Sequence, residues 1–469
     1  MNVQVIKSFK GGFSDWEDTG VYGAFKYGRN LDIRKLTDSL TCQYGLEDDK
    51  AVGTFNGLVL WIVNCSDGNS YHFLETGRIY KRTSGGVYSL VYTDPDGRIC
   101  GAAEWSNSNG NKFLYWATQT KLHRKEVPGL SDWSDVDSTV NGQSYPKNNL
   151  TAHDWHPMKQ ISGGLYIGNA NTLAFVAFDD SYTNNALQLV PGNNARCLLE
   201  YNSYALIGCS KDDVSLNSEF FAWDTAQSLN WNIRKTIAGV PINSMINAEF
   251  PLMQVGADGQ VLLADPGSYN MPIFSFPSGG QVYPDAVELY KGMALFGVFD
   301  NGTGKTGIYS YGRVKKNADL VLNLDYQFDC DIISSIKFVG NTLLIAYYKA
   351  GLGYGVKKVS TTNREVAVYQ SIDQIAPVTT DREPVWARAR LVMAPLPAGC
   401  SITFWRKMDK SGEFTQCNLE SGGTVFSTEG SKEAWFLIGD TGKISEVQAI
   451  LTPSGISTPE IYRIELFFD

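Results

Sequence analysis

The sequence predicts an all-β chain, and three observations carry that prediction. A phrase is said twice: SDGNSYHFLETGRIYKR over 66–82 returns as SNGNKFLYWATQTKLHRK over 108–125, an offset of 42 residues. Both copies give a polar turn with Gly and Asn, an alternating aromatic segment (Tyr71 and Phe73; Phe113 and Tyr115), a Thr, and a basic strand. A repeat of about 40–45 residues is the length of one four-stranded propeller blade. The composition agrees, because 46 Gly against 17 Pro, with 24 Tyr and 11 Trp, suits short strands joined by tight turns. Finally, no segment longer than about ten residues combines helical periodicity with caps, residues 31–40 coming nearest. The expected architecture is a β-propeller, seven blades of four antiparallel strands, followed by a C-terminal β-sandwich.

Length and charge narrow the function classes. At 469 residues the chain exceeds one ordinary core, so several domains or one large repeat array is expected. A net charge of −9 argues against a nucleic-acid partner, whose phosphates require a basic surface. Met1 to Gly20 lacks the apolar core of a secretory signal, and no 18-residue apolar run exists, so neither a signal nor a membrane span is expected. The eight cysteines are dispersed without a CxxC pair and read as reduced, small hydrophobes.

In order, residues 1–50 form an extended leader, with Val3 to Ile6 as a strand, serving for docking or for closing the ring. Residues 51–372 carry the blade rhythm, in units of about 51–85, 86–130, 153–192, 193–238, 239–280, 281–327 and 328–372. Within a blade, inner strands are covered on both faces and read as unbroken apolar runs, as in Leu343 to Ala346 and Met293 to Val298. Outer strands keep a wet face and alternate, as in Lys121-Leu122-His123-Arg124. Residues 131–152 are polar and aperiodic, an insertion between blades. Pro377, Pro384, Pro395 and Pro397 mark a joint, and residues 373–469 read as a sandwich of strands separated by turn signals.

Few residues point to chemistry. His153-Asp154-Trp155-His156 pairs two histidines, but no third ligand pattern stands nearby, so ordinary hydrogen bonding is the reading. Asp132, Asp135 and Asp137 come closest to a calcium loop, and they fall short of its ligand spacing. The Asp-Gly and Asn-Gly pairs are hairpin turns. Ser106 to Phe113 has Ser, Gly and Phe in the register of a sialidase Asp-box, with Ser108 where the Asp belongs. No GxSxG, HExxH or P-loop occurs. The expectation is therefore no enzyme, no cofactor and no metal.

The first segment carries a resemblance. Ser8 to Asp15 (SFKGGFSD), Gly23-Ala24-Phe25 and Asn30 to Arg34 (NLDIR) resemble the opening of propeller-bearing virion proteins of tailed bacteriophages. The detailed likeness covers about thirty residues; the order leader, propeller, sandwich extends it loosely over the chain. It implies a structural tail protein, made and assembled in the host cytoplasm. Such a protein is oligomeric in the particle, and its contacts are other virion proteins and a host surface glycan or protein. The alternative is a carbohydrate-binding or carbohydrate-cleaving propeller, a lectin or glycoside hydrolase. Aromatic residues outside clear strands or in the leader are the expected interface: Phe13, Trp16, Phe25, Trp133 and Trp155.

Overall fold

The computed structural model describes residues 2–14, 23–35, 38–127, 132–137, 139, 142–211, 216–226, 230–277, 279–299, 305–376 and 383–469. Trp16 and Pro377 lie outside them. No α-helix occurs among the described residues, and the chain divides into two compact units, residues 48–307 with 328–358, and residues 1–47 with 308–327 and 359–469.

The first unit is a closed ring of seven blade-like sheets, the sixth and seventh joined by one parallel contact, Asp285 with Ser335. Their innermost strands are Val59–Asn64, Ile99–Ser106, Met158–Ile161, Asn193–Tyr201, Ile242–Asn247, Gln281–Tyr290 and Ile332–Val339. Each packs against the next, and Ile332–Val339 packs against Val59–Asn64. The repeated phrase is the same piece of two adjacent blades: the turn and the two middle strands, Ser70–Leu74 with Arg78–Arg82, and Lys112–Thr118 with Leu122–Glu126. Both turns close alike. Gly68 N donates to Cys65 O and Gly110 N to Asn107 O, each at 3.0 Å. Both glycines have φ near +80°, where a side chain would be strained.

Unbroken apolar runs are not confined to innermost strands. Met293–Phe299 is buried throughout, but it is the second strand of its sheet. Among innermost strands, Val59–Asn64 and Ile242–Asn247 are buried over most of their length, as expected, while Gln281–Tyr290 alternates. The first boundary also moves, since Tyr88–Thr93 is the outer strand of the first blade rather than the start of the second. Among the described residues the second blade has three strands. Lys147 of the insertion bridges Leu122 where a fourth would run, so His123, Arg124 and Lys125 are buried rather than wet.

Two sets of polar contacts close the ring. Residues 48–55 take the outermost place of the seventh sheet, with Val52 and Gly53 against Gly355 and Gly353. From this strand Asp49 accepts bonds from Arg82 Nη2 and the Tyr88 hydroxyl of the first blade, both 2.8 Å. Burial alone would raise its pKa, but these bonds outweigh that and hold it below the ordinary value. At the axis, Asp285 of the sixth sheet accepts from Ile62 N of the first (3.0 Å) and Ser335 Oγ of the seventh (2.6 Å).

The second unit is a sandwich built from both ends of the chain. One sheet runs Asn2–Ile6, Ile461–Phe468, Val385–Met393, Glu433–Thr441, Asn418–Leu419. The other runs Phe25–Arg29, Ala367–Ser371, Ile444–Thr452, Ser401–Met408, Thr415–Gln416. Phe404 and Phe436 meet between the sheets with ring centroids 5.4 Å apart. The expected separate leader of residues 1–50 is thus divided, with residues 1–47 in this unit and 48–50 in the ring. The sixth blade keeps its expected four strands, in the order Gln281–Tyr290, Met293–Phe299, Gly307–Arg313, Leu320–Gln327, and residues 308–327 count with the sandwich unit. Phe13 N donates to Leu322 O (2.8 Å), and buried Asn323 donates to Leu31 O (3.2 Å) and to Asp325 (2.7 Å), which pairs with Arg34. All eight cysteines are buried and free.

Burial pushes the pKa of Asp285 up to about 6, against smaller lowering effects of Lys337, Ser335 and the Ile62 amide. Between about pH 4 and 6 the folded chain therefore holds a proton that the unfolded chain has released, and stability falls as pH rises through that window. Asp285→Asn, which keeps an acceptor oxygen, is expected to flatten this dependence and to stabilise the protein above pH 6 by on the order of 3 kcal/mol. Unfolding midpoints measured from pH 4 to 8 check this; parallel curves for both proteins would refute it. Asp49→Ala strands the buried Arg82 guanidinium and is expected to destabilise by about 3–5 kcal/mol. A loss under about 0.5 kcal/mol in denaturant titration would show that the closing strand does not depend on this pair.

Candidate functional site

The five aromatic residues expected at an interface meet different fates. Phe25 is fully buried, because the strand that carries it is an internal part of the sandwich unit; its ring lies 5.3 Å from Phe13 and 6.0 Å from Tyr369. Alanine at Phe25 would open a core cavity rather than blunt a surface. Phe13 is half-buried against Phe25, Tyr27 and Tyr309. Trp133 is half-buried in an aromatic stack on Tyr92, 5.7 Å between centroids and 25° between planes, beside Tyr71 and Trp116. Trp155 is buried, at 8% exposure.

Trp155 nevertheless marks a site. Its ring lies 4.8 Å from the Arg196 guanidinium, 5.9 Å from that of Arg98, and edge-on to Tyr283 at 5.5 Å. Arg196 and Tyr283 sit on the innermost strands of the fourth and sixth sheets, so the indole plugs the ring axis. Beside it lies a cleft of about 420 Å³, lined by Gln119, His153, Asp154, Arg196, Ser210 and Lys211 among others. Gln119 Nε2 donates to Asp154 Oδ1 at 3.1 Å, and His153 Nδ1 accepts from Trp155 N at 3.1 Å. His156 is not part of the cleft lining. It is buried, with ring nitrogens 2.7 and 3.0 Å from the carbonyl oxygens of Gly168 and Gln119. Arg196 Nε has no hydrogen-bond partner among the described residues, and burial lowers the pKa of the guanidinium. A desolvated cation at a polar cleft is suited to an anionic ligand.

A second surface escaped sequence reasoning. On the outer face of the five-stranded sheet, register places Val3, Phe467, Arg388 and Leu437 in one row across four strands. The next row is Val5, Glu465, Arg390 and Trp435. Trp435 and Phe467 stack at 5.6 Å, and the Arg388 guanidinium lies 4.6 Å from the Trp435 ring. Arg388 pairs with Glu420 at 3.2 Å, and Arg390 with Glu433 at 2.5 Å. Val3, Val5 and Leu437 remain exposed. The signal was present in WARAR (386–390) and AWFL (434–437), where arginine and aromatic residues take the positions that alternate with the core.

No protein-family profile and no curated protein matches the chain. Among solved structures it is similar to the WD40 β-propeller domain of Doa1, at 12% identity over 68% of this chain and 97% of that one, TM-score 0.45. It is similar also to the Cps50 (Swd1) β-propeller domain of Myceliophteria thermophila, at 11% identity over 67% and 100%, TM-score 0.45. A third is streptogramin B lyase, at 10% identity over 67% and 97%, TM-score 0.44. The ring unit is a β-propeller by its own strand order and packing.

Proposed function

We propose that this protein is a structural component of a tailed-phage virion, a tail protein that works by binding rather than by catalysis. In this reading the outer face of the five-stranded sheet docks another virion protein. The observation that carries the proposal is the composition of that face. Trp and Arg dominate the energetics of protein interfaces, and here Trp435, Phe467, Arg388 and Arg390 form one stacked patch beside exposed Val3, Val5 and Leu437. Strand Asn2–Ile6 stands at the edge of the sheet, so a partner strand can extend it. The viral setting rests on the resemblance of the first segment.

A second reading, a propeller that binds an acidic glycan, is favoured by Arg196 in the axial cleft. The covered Trp155 ring does not offer a stacking face, so recognition there would be ionic and through hydrogen bonds.

Replacing Arg388 and Trp435 together by alanine is expected to reduce incorporation into particles at least tenfold, roughly the effect of losing one hot spot. The purified variant should keep its circular dichroism spectrum, since both side chains point outward. Normal incorporation of the folded variant would sink the docking proposal. For the second reading, Arg196→Gln should abolish binding of a carboxylated oligosaccharide in calorimetry. Absence of binding by the unmodified protein would dismiss the glycan, and new reducing ends would convert lectin into hydrolase.

A further inference from the structure

Away from the axial cleft and the sandwich face, three pieces of chain meet at one polar cluster. They are the turn at residues 94–97 that leaves the first blade, strand Leu122–Glu126 of the second, and the turn at residues 134–137 of the insertion. The His123 side chain is 3% exposed and lies flat against Trp116, with centroids 5.5 Å apart and planes 9° apart. Its Nδ1 is 2.6 Å from Asp137 Oδ2, which places the ring N–H on that nitrogen. Nε2 then carries the lone pair. It makes no hydrogen bond among the described residues, and it faces Asp96 Oδ2 at 3.4 Å and Asp94 Oδ2 at 3.7 Å.

The three electron-pair donors lie within 4.8 Å of one another, and a lone pair facing two carboxylates is repelled unless a cation or a proton stands between them. The spacing separates these cases. A proton shared between imidazolium and carboxylate would draw the atoms to about 2.7–2.9 Å. Ligands about 2.1 Å from a tetrahedral ion stand about 3.4 Å from one another. The outer contacts also match those of a metal centre, where a ligating histidine donates its second N–H to a carboxylate and the ligating carboxylates are themselves held. The Trp116 indole N–H donates to Asp94 Oδ2 at 2.6 Å, Asp96 N to Asp94 Oδ1 at 2.9 Å, and Lys121 Nζ to Asp96 Oδ1 at 2.6 Å.

We propose that His123 Nε2, Asp94 Oδ2 and Asp96 Oδ2 bind a divalent first-row transition ion, completed by water on the open side next to Asp96. One imidazole with two carboxylates suits Zn²⁺ or Mn²⁺; Mg²⁺ and Ca²⁺ prefer oxygen alone. The Asp96 side chain, 26% exposed, leaves a path to solvent. The ion ties the turn that leaves the first blade to the second blade, while Asp137 of the insertion orients His123 and also accepts Arg124 N at 3.0 Å.

The test is equilibrium dialysis of the chelator-stripped full chain against Zn²⁺ and, separately, Co²⁺, with bound metal measured by mass spectrometry. One equivalent per chain is expected, with visible absorption bands for the Co²⁺ form and no displacement by equimolar Mg²⁺ or Ca²⁺. Asp96→Asn and the positioning change Asp137→Asn should each weaken binding by at least about tenfold with the fold retained. The proposal falls if the unmodified chain takes up no more metal than Asp96→Asn, or if Ca²⁺ displaces the ion. Should either variant fail to fold, the Co²⁺ spectrum of the unmodified protein decides alone, and a spectrum without such bands overturns the site.

Discussion

Twisted sheets stacked face to face leave two open ends unless the last turns back onto the first. Here that meeting gathers on one carboxylate, Asp285, which takes a backbone N–H from the first sheet and a hydroxyl from the seventh. Apolar packing between neighbouring sheets is non-directional and would tolerate an open stack. The hydrogen bonds of Asp285 are directional, and they are satisfied only when sheets six, seven and one converge. Burying a charge so deeply opposes folding, which Lys337 and the two donors only partly offset. The ring therefore trades some stability near neutral pH for a defined way of closing.

The same logic explains the polarity of the axis. Middle strands such as Met293–Phe299 are covered on both sides and are apolar throughout. Innermost strands turn one face to the axis, where Arg196, Tyr283 and the Trp155 plug meet. The proposed ligand cleft follows from this placement. Its polar lining comes from strand ends and loops, whose side chains need not fill the wedge between sheets.

Much of the ring was legible because its repeat is written in turn chemistry. Gly68 and Gly110 occupy the same positive-φ position, and the 42-residue spacing between the two phrases is the spacing of adjacent blades. The order of strands within a blade was less legible, since unbroken burial marks second strands such as Met293–Phe299 as well as innermost ones such as Ile242–Asn247. The leader was legible only in part: its last residues, 48–50, lie in the strand that closes the ring, as expected, but its first strand was misplaced for a physical reason. Asn2–Ile6 pairs with Ile461–Phe468, and contacts across that separation leave no periodic trace in either segment. Phe25 and Trp155 were taken for surface residues because they lie outside the blade rhythm, yet irregular segments bury aromatic rings as readily as strands do. His123 was hidden by its insertion, which converts an alternating edge strand into a covered one.

The pairing of Asn2–Ile6 with Ile461–Phe468 has a bearing on how the chain is made. At about 5–20 residues per second, the ribosome needs roughly 25–90 s to travel between these segments. Throughout that interval the first strand has no native neighbour, and the closing segment 48–55 likewise waits for 353–358 to emerge. The ring unit can close once residue 358 has emerged, with residues 359–469 still to be made, but the sandwich unit must wait for Ile461–Phe468. Val3 and Val5 spend the wait on an unpaired strand, open to whatever β-edge the cell presents.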